Sequence, residues 1–352
     1  MTALGDLLIA RIARTGPISL ADYMADCLMH PEHGYYATRD PFGAAGDFTT
    51  APEISQMFGE LIGLSLAQAW IDQGCPAPFT LAELGPGRGT LMADALRATK
   101  AVPGFHDALT VHLVETSPVL RAAQAKLIPD ATWHDSVDHL PDAPLFLIAN
   151  EFFDALPIRQ FTRDGDAWRE KMVGVTDGKL GFGLSAAAPI ALLEDRLADT
   201  KDGDLVEHCL ALPSIVSTIS AKIEMHGGCA VIIDYGDWQS QGDTLQALKS
   251  QDHADPLATP GDADLTAHVD FAAIAANTGL AKFSRLTPQG VFLERLGITQ
   301  RAQALATKLS GDALTSHIAA HRRLTHPAEM GDLFKVISIH PSNANPPPGL
   351  EA

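Results

Sequence analysis

The sequence predicts an α/β fold in which a mostly parallel, Rossmann-like sheet carries helices on both faces. The first observation behind this prediction is a regular alternation of strand and helix patterns that starts after Gly74. The second is the run from Leu145 to Asn150, which is continuously apolar until its last residue, as in strands buried on both faces. Strands are predicted at 79–84, 110–115, 132–133 and 145–150, and helices at 90–99 and 118–126.

Residues 1–48 are predicted to form a helical cap followed by a loop. Two short helices are separated at Gly16-Pro17, and the turn-forming residues of 31–48 indicate an ordered loop. The pattern Thr50-Ala-Pro-Glu53 has the spacing of a capping box and predicts the start of a helix. The Rossmann-like core is placed at 49–156, from the start of this helix to the end of the strand–helix alternation.

The strand–helix alternation stops at Pro157, and residues 157–227 are predicted to be an insertion in the core. Hairpin turns at Asp164-Gly165 and Asp177-Gly178 indicate an antiparallel meander. A helical stretch is expected to follow over 189–226.

Residues 228–340 are predicted to complete the core, with a largely helical region on the substrate side. The parallel-strand pattern resumes at Cys229, and residues 334–339 are expected to form a reversed, antiparallel last strand. The Pro-rich tail, 341–352, is predicted to be disordered.

The composition excludes some classes of partner. The chain has 352 residues and a formal net charge of −18, which argues against non-specific binding to nucleic acid or to anionic membranes. The four cysteines are scattered without a C-x-x-C pair, so neither a disulfide framework nor a structural zinc site is expected, and no metal is predicted. We expect no signal peptide, no membrane insertion and a cytoplasmic location in a bacterium; the oligomeric state is not predicted.

The turn Gly85-Pro-Gly87-Arg-Gly89 lies between a predicted strand and a predicted helix, where nucleotides often bind. A phosphate-binding P-loop needs Lys before its Ser or Thr, but Thr90 follows the last glycine directly. The spacing also departs from the G-x-G-x-x-G of dinucleotide-binding folds. These two classes of ligand are therefore disfavoured.

S-adenosylmethionine (SAM) fits the surrounding acids better. Its ammonium and sulfonium groups suit Glu83 beside the turn, and small residues at Gly85, Gly87 and Gly89 allow close approach of the backbone. Glu115, at the end of the next strand, can accept the ribose hydroxyls. Asp135, after the third strand, can meet the adenine amino group, so the cofactor predicted is SAM.

The segment Asn150-Glu151-Phe152-Phe153-Asp154 follows the most apolar strand, at the sheet edge where chemistry occurs in such folds. Glu151 and Asp154 could grip and neutralise a guanidinium, with Asp47 as a further candidate. Asn150 could orient a nucleophilic nitrogen. Alternatively, the two acids could only cap the following turn.

Several motifs together resemble the MidA family, to which the mitochondrial methyltransferase that assists assembly of respiratory complex I belongs. They occur in order between about residues 5 and 340: GDFTTAPEISQMFGELIG (46–63), LAELGPGRGTL (81–91), VETSPVLR (114–121), ANEFFDALP (149–157), IDYG (233–236), AHVDF (267–271) and MGDLFKVI (330–337).

The resemblance implies a bacterial, class I SAM-dependent protein-arginine N-methyltransferase. The acceptor implied is an arginine on a core subunit of NADH:ubiquinone oxidoreductase or on another protein. By position, Gly46 and Asp47 resemble the family's N-terminal cover over the cofactor. The mitochondrial form has His where Asn150 stands, which leaves the role of Asn150 open.

Two other functions stay open at this stage. One is a non-catalytic SAM-binding assembly factor that clamps a client subunit, and the other is N-methylation of a glutamine or a small molecule through Asn150.

His268 is a candidate for lining the pocket, with Asp270 as an ordinary helix cap. His30 and His33 are expected to lie in a surface turn rather than in a metal site.

Overall fold

The computed structural model describes residues 2–38, 49–249 and 252–352. The helices are α1 (Ala3–Thr15), α2 (Leu20–Met29), α3 (Tyr35–Thr38), α4 (Ala51–Ile54), α5 (Gln56–Asp72), α6 (Thr90–Thr99), α7 (Phe105–Ala108), α8 (Pro118–Leu127), α9 (Leu212–His226), α10 (Phe271–Ala276), α11 (Gln289–Arg295), α12 (Ile298–Ala306) and α13 (Gly311–Thr325). The strands are β1 (Ile18–Ser19), β2 (Phe79–Leu84), β3 (Leu109–Val114), β4 (Thr132–His134), β5 (Leu145–Asn150), β6 (Ile158–Asp164), β7 (Ala167–Thr176), β8 (Lys179–Leu184), β9 (Leu205–Cys209), β10 (Gly228–Asp237), β11 (Gln246–Lys249), β12 (Asp252–His253), β13 (Asp264–Thr266), β14 (Val269–Asp270), β15 (Lys282–Phe283), β16 (Thr287–Pro288) and β17 (Phe334–His340).

The largest sheet of the described residues has the order β15-β17-β10-β5-β2-β3-β4. From β10 to β4 the neighbouring strands are parallel, whereas β17 runs antiparallel to β10. This confirms the predicted parallel sheet with a reversed last strand. The prediction succeeded because β2 and β5 are buried along their whole length, which produces the uninterrupted apolar runs in the sequence.

Alternate residues of the central strands pack into two separate cores. Leu81 and Phe146 pack on one face with the apolar residues of α5 and α6. Ala82 and Leu147 pack on the other face with α9 and α10. This arrangement leaves the carboxyl ends of the parallel strands, with their polar residues, as the edge where a ligand can bind.

The insertion forms a second sheet of order β1-β7-β6-β9, in which β8 also pairs with β7. The hairpin turns lie where predicted, with Gly165 and Gly178 at φ +64° and +74°. The prediction of a helical stretch over 189–226 is wrong in its first part, because Leu205–Cys209 forms a strand that pairs with β6. The second part of this range forms the long helix α9. β1 belongs to the N-terminal segment, so the cap and the insertion share one sheet.

A helix begins after Thr50, as predicted, but the capping box itself is absent. The Thr50 side chain makes no capping hydrogen bond, and the extended backbone of Ser55 divides the segment into α4 and α5. Ser55 Oγ instead accepts the Met57 amide and caps α5. Glu53 Oε1 accepts a hydrogen bond of 2.6 Å from Thr90 Oγ1, so this acid braces the glycine turn rather than its own helix.

The prediction that residues 341–352 are disordered is wrong. The Ser342 amide donates to Glu224 on α9, and Ser65 Oγ on α5 donates to the Pro348 carbonyl at 2.8 Å. Leu350 is buried in the core beside α5. The Pro-rich composition describes the local stiffness of this segment but contains no information on these long-range contacts.

The segment that follows β10 in the sequence forms a small sheet of order β12-β11-β13. Its apolar residues Ala247 and Leu265 pack with α1 and α2 of the N-terminal cap. In the described part of the chain no helix is long and apolar enough to cross a bilayer.

Candidate functional site

A cavity of about 590 Å³ lies at the carboxyl ends of β2, β3, β4, β5 and β10. One half is lined by the glycine turn and by the acids that follow β3 and β4. The other half lies between the segment after β5 and the small sheet. The polar residues that line it include Tyr36, Glu83, Glu115, Asp135, Asn150, Glu151, Asp154, Tyr235, Gln246, Asp264, Thr266 and His268.

The glycine turn needs its glycines for backbone conformation. Gly85, Gly87 and Gly89 have φ of +58°, +53° and +86°, a region that other residues rarely adopt. A Cβ atom on Gly85 would lie 3.0 Å from Cδ2 of Phe152. The Gly87 carbonyl accepts a 2.7 Å hydrogen bond from Nε2 of Gln124, which holds the turn against α8.

Glu83 lies beneath this turn and is 3% exposed. Burial raises the pKa of its carboxyl to about 8, and a hydrogen bond from the Met92 backbone opposes the rise only partly. Its Oε2 atom has no hydrogen-bond partner among the described residues. A buried carboxylate of this kind needs a cation or a donor, which the ammonium group of SAM would provide.

Glu115 follows β3 directly and faces the same half of the cavity. Its Oε1 atom accepts the backbone amides of Thr116 and Ser117, both at 2.8 Å, and Nε2 of Gln124 lies 3.3 Å from Oε2. These bonds hold the carboxylate in one orientation, although burial raises its pKa. The geometry fits the predicted role on the ribose, where an oriented acceptor is needed.

Asp135 lines the cavity after β4, but its carboxylate is already engaged. Arg121 donates to Oδ1 at 2.6 Å, and the Asp135 side chain is 75% exposed. The predicted contact of Asp135 with an adenine amino group therefore has to share this carboxylate with Arg121.

The residue after β5 has an unusual backbone. Glu151 has φ +52°, and its carboxylate accepts hydrogen bonds from the Ala51 amide at 3.2 Å and from Nδ2 of Asn150 at 3.0 Å. Asn150 Oδ1 is buried and has no partner among the described residues. A strained acid and an unpaired amide oxygen at a cavity wall are typical of functional sites rather than of simple turn caps.

Glu151, Asp154 and Asp234 form an acidic cluster in which Asp154 and Asp234 are buried and Glu151 is partly exposed. Burial, followed by the charge of Asp154, raises the pKa of Glu151 to about 7. Burial raises the pKa of Asp154 to about 6 and that of Asp234 well above its usual range. Asp234 accepts the backbone amides of Phe153 and Tyr235, both at 3.0 Å, so it holds the segment that carries the other two acids.

The cavity is also lined by residues that the sequence did not identify as functional. Tyr235 is edge-on to His268, with ring centroids 5.4 Å apart. Burial, followed by the charge of Asp154, raises the pKa of the Tyr235 hydroxyl well above its usual range. Asp264 accepts the hydroxyl of Tyr36 at 2.8 Å. Asp234 lies in the IDYG motif, and Asp264 lies shortly before the AHVDF motif. Their position in or near these motifs was the sequence signal that could have identified them as functional residues.

Other predicted residues are placed as follows. His268 lines the cavity and Asp270 caps α10 by accepting the Ala273 amide, so both interpretations hold. Gly46 and Asp47 lie outside the described residues. His30 and His33 stack on each other at 5.2 Å, and no group of His, Cys, Asp and Glu within the described ranges is arranged to hold a metal ion.

Comparison with known proteins identifies the family. The model of the family described as "Putative S-adenosyl-L-methionine-dependent methyltransferase" matches residues 61–289, and the chain belongs to this family. It is 36% identical to the Drosophila melanogaster mitochondrial protein named protein arginine methyltransferase NDUFAF7 homolog, over 96% of this chain and 85% of that protein. It is 33% identical to the human mitochondrial protein arginine methyltransferase NDUFAF7, over 95% of this chain and 82% of that protein.

A solved structure shares the whole architecture. A Burkholderia thailandensis protein crystallised with bound S-adenosyl-homocysteine (SAH) superimposes with a TM-score of 0.83 at 30% identity, covering 99% of this chain and 94% of that one. The chain is thus a class I SAM-dependent methyltransferase, and its cofactor is SAM. The roles of the individual cavity residues stay predictions.

Proposed function

We propose that this methyltransferase transfers its methyl group to an arginine side chain of a protein. The observation that carries the proposal is the acidic pair Glu151 and Asp154. This pair lies in the half of the cavity between the segment after β5 and the small sheet, which we call the acceptor half; the half with the glycine turn is the cofactor half. Both are largely buried, neither forms an ion pair within the described residues, and Oδ1 of Asp154 has no hydrogen-bond partner there. A guanidinium supplies both the charge and the planar array of donors that such a pair lacks.

The same acids account for the proton balance of the reaction. SAM supplies an electrophilic methyl group when it is bound. A guanidinium nitrogen that gains a methyl must lose one proton, and Glu151, whose pKa is about 7, can accept it near neutral pH. Asn150 Oδ1 can accept an N–H of the acceptor and hold the nitrogen toward the methyl group.

The names of the relatives agree with a protein acceptor. The Drosophila and human relatives are named protein arginine methyltransferases, and the MidA resemblance implies a core subunit of NADH:ubiquinone oxidoreductase as the acceptor. We extend this proposal to the present chain, with that subunit as the first acceptor to test. A cytoplasmic location is part of the proposal; it is supported by four cysteines that are all free.

The test is a methyl-transfer assay with radiolabelled SAM on an extract of cells that lack this protein. We expect one labelled protein band whose hydrolysate contains methylated arginine. Glu151→Gln should reduce the label strongly. Glu60→Gln is a matched control, since Glu60 is also buried but pairs with Arg97 and Arg301 away from the cavity.

Each other outcome points to another function. Label in a glutamine or in small solutes would favour N-methylation of those groups through Asn150. Absence of label, with SAH still bound, would favour a non-catalytic assembly factor. Methylarginine that is undiminished in Glu151→Gln would remove Glu151 from the acceptor site.

A further inference from the structure

Tyr36 on α3 contacts both halves of the cavity. Its carbonyl accepts a hydrogen bond of 2.7 Å from Ser117 Oγ, and its hydroxyl donates to Asp264 Oδ1 at 2.8 Å. Ser117 also donates its amide to Glu115, the acid predicted to hold the ribose. Asp264 begins β13 in the small sheet, on the acceptor side. We call Ser117, Tyr36 and Asp264 the Tyr36 clasp.

The helix that carries Tyr36 is short but firmly anchored. The neighbouring Tyr35 is fully buried in the core shared by α1, α2 and the small sheet. The rings of Tyr35 and Tyr36 meet edge to face at 5.2 Å. Tyr35 therefore fixes α3 to α1, α2 and the small sheet, and Tyr36 faces the cavity.

The Tyr36 hydroxyl lies between acids. Burial, followed by the charges of Asp264 and Asp154, raises the pKa of this hydroxyl well above its usual range. The hydroxyl consequently keeps its proton and acts as a donor at physiological pH. Asp264 itself is 3% exposed, so its orientation depends on the donors that surround it.

We propose that Tyr36 is a positioning residue for the methyl acceptor, which acts by orienting the Asp264 carboxylate in the cavity that Asp154 also lines. This proposal rests on the proposed function, since it requires a cationic acceptor. The clasp ties Asp264, in a small sheet outside the parallel core, to the turn that carries Glu115. The Asp264 carboxylate is thus held at a fixed distance from the strand that Glu115 follows, and methyl transfer demands such fixed geometry.

The test measures cofactor and acceptor binding separately in Tyr36→Phe, a variant that retains the backbone contact with Ser117. SAH is titrated first, and N-acetyl-L-arginine N-methylamide is then titrated into SAH-saturated protein by calorimetry. We expect the Kd of SAH to change less than about twofold and the Kd of the blocked arginine to rise at least about fivefold, the effect of one hydrogen bond.

Tyr23→Phe is the matched control. Tyr23 is a buried tyrosine of the same cap whose hydroxyl donates to the Pro256 carbonyl at 2.6 Å, but it does not line the cavity. It should change neither Kd. Equal acceptor affinity in Tyr36→Phe and Tyr23→Phe would overturn the proposal, as would a loss confined to SAH binding.

A second variant covers a folding failure of Tyr36→Phe. Asp264→Asn removes the carboxylate to which Tyr36 donates, and it should weaken the blocked arginine while sparing SAH; an unchanged affinity would overturn the proposal. If wild-type protein does not bind the blocked arginine, acceptor affinity is measured instead by the extract concentration that half-saturates labelling. Tyr36→Phe should raise that concentration; an unchanged value would overturn the clasp, and absence of any labelling would overturn both proposals.

Discussion

Replacement of Glu83 by Gln should stabilise the protein without ligand and weaken cofactor binding at the same time. Burial raises the pKa of Glu83 from 4.5 to about 8. Between these values the unfolded chain has lost the proton that the folded chain keeps. The free energy of unfolding therefore falls as pH rises through this window, and Gln, which does not ionise, removes that loss.

The size of the effect follows from the two pKa values. The penalty that Glu83 imposes on the folded state is about 1 kcal/mol at pH 5 and about 4 kcal/mol at pH 8. Urea unfolding of wild type and Glu83→Gln without ligand should show this widening difference. As a contrast, Glu60→Gln should lower stability at both pH values, because Glu60 is buried beside two arginines.

The affinity for the cofactor should change with pH in the opposite direction to the free energy of unfolding: it should rise as pH rises. Only about 1% of Glu83 is ionised at pH 6 and about half at pH 8, so wild-type affinity for SAH should rise about fiftyfold across this range, beyond any rise in the variant. The amino group of SAH titrates equally in both proteins and cancels in the comparison. Calorimetry at pH 8 should show affinity reduced about a hundredfold or more in Glu83→Gln. Unchanged SAH affinity would refute the assignment of Glu83 to the ligand ammonium. A variant less stable than wild type at pH 8 would refute the raised pKa of Glu83.

Three further predictions concern the same cavity. Gly85→Ala should reduce SAH affinity and cost about 1–3 kcal/mol of stability, measured by calorimetry and urea unfolding, since it combines a positive φ with a 3.0 Å contact to Phe152; wild-type values would contradict the geometry. Glu115→Ala should weaken SAH binding by about 1.5–3 kcal/mol, whereas Glu151→Gln should leave it nearly intact and depress turnover at saturating SAM; the reverse pattern would invert the two assignments. Because the pKa of Glu151 is about 7, kcat/KM should fall as pH drops below 7 in initial-rate assays, and a flat profile from pH 5 to 8 would exclude Glu151 as the proton acceptor.

The location of the residues proposed to bind the cofactor could be predicted from the sequence, because it depends on local patterns; their roles stay predictions. The glycines at 85, 87 and 89 stand between one strand and one helix, and Glu115 follows the next strand of the parallel sheet. In such a sheet, the register of neighbouring strands brings their carboxyl ends to the same edge. A motif at a strand end therefore predicts both a location and a chemistry.

The acceptor half could not be predicted in this way. Tyr36 reaches Asp264 across 228 residues of sequence, and among the described residues the strand that carries Asp264 pairs only with the short β11. Short strands such as β9 and β13 have too few residues to show an alternating pattern, and their pairing depends on partners distant in the chain. The same limitation explains why the ordered tail was predicted to be disordered.

The two halves also differ in what their burial accomplishes. Glu83 is buried alone, so its charge is costly until a cation arrives, and this cost makes cofactor binding sensitive to pH. Glu151, Asp154 and Asp234 lie together, so each opposes ionisation of the others, and a single guanidinium relieves only part of that repulsion. Binding of the acceptor arginine should therefore release fewer protons from the cluster than the cluster has carboxyl groups. The fall of kcat/KM below pH 7 should therefore follow protonation of the cluster as a whole, within which Glu151 is the proposed proton acceptor.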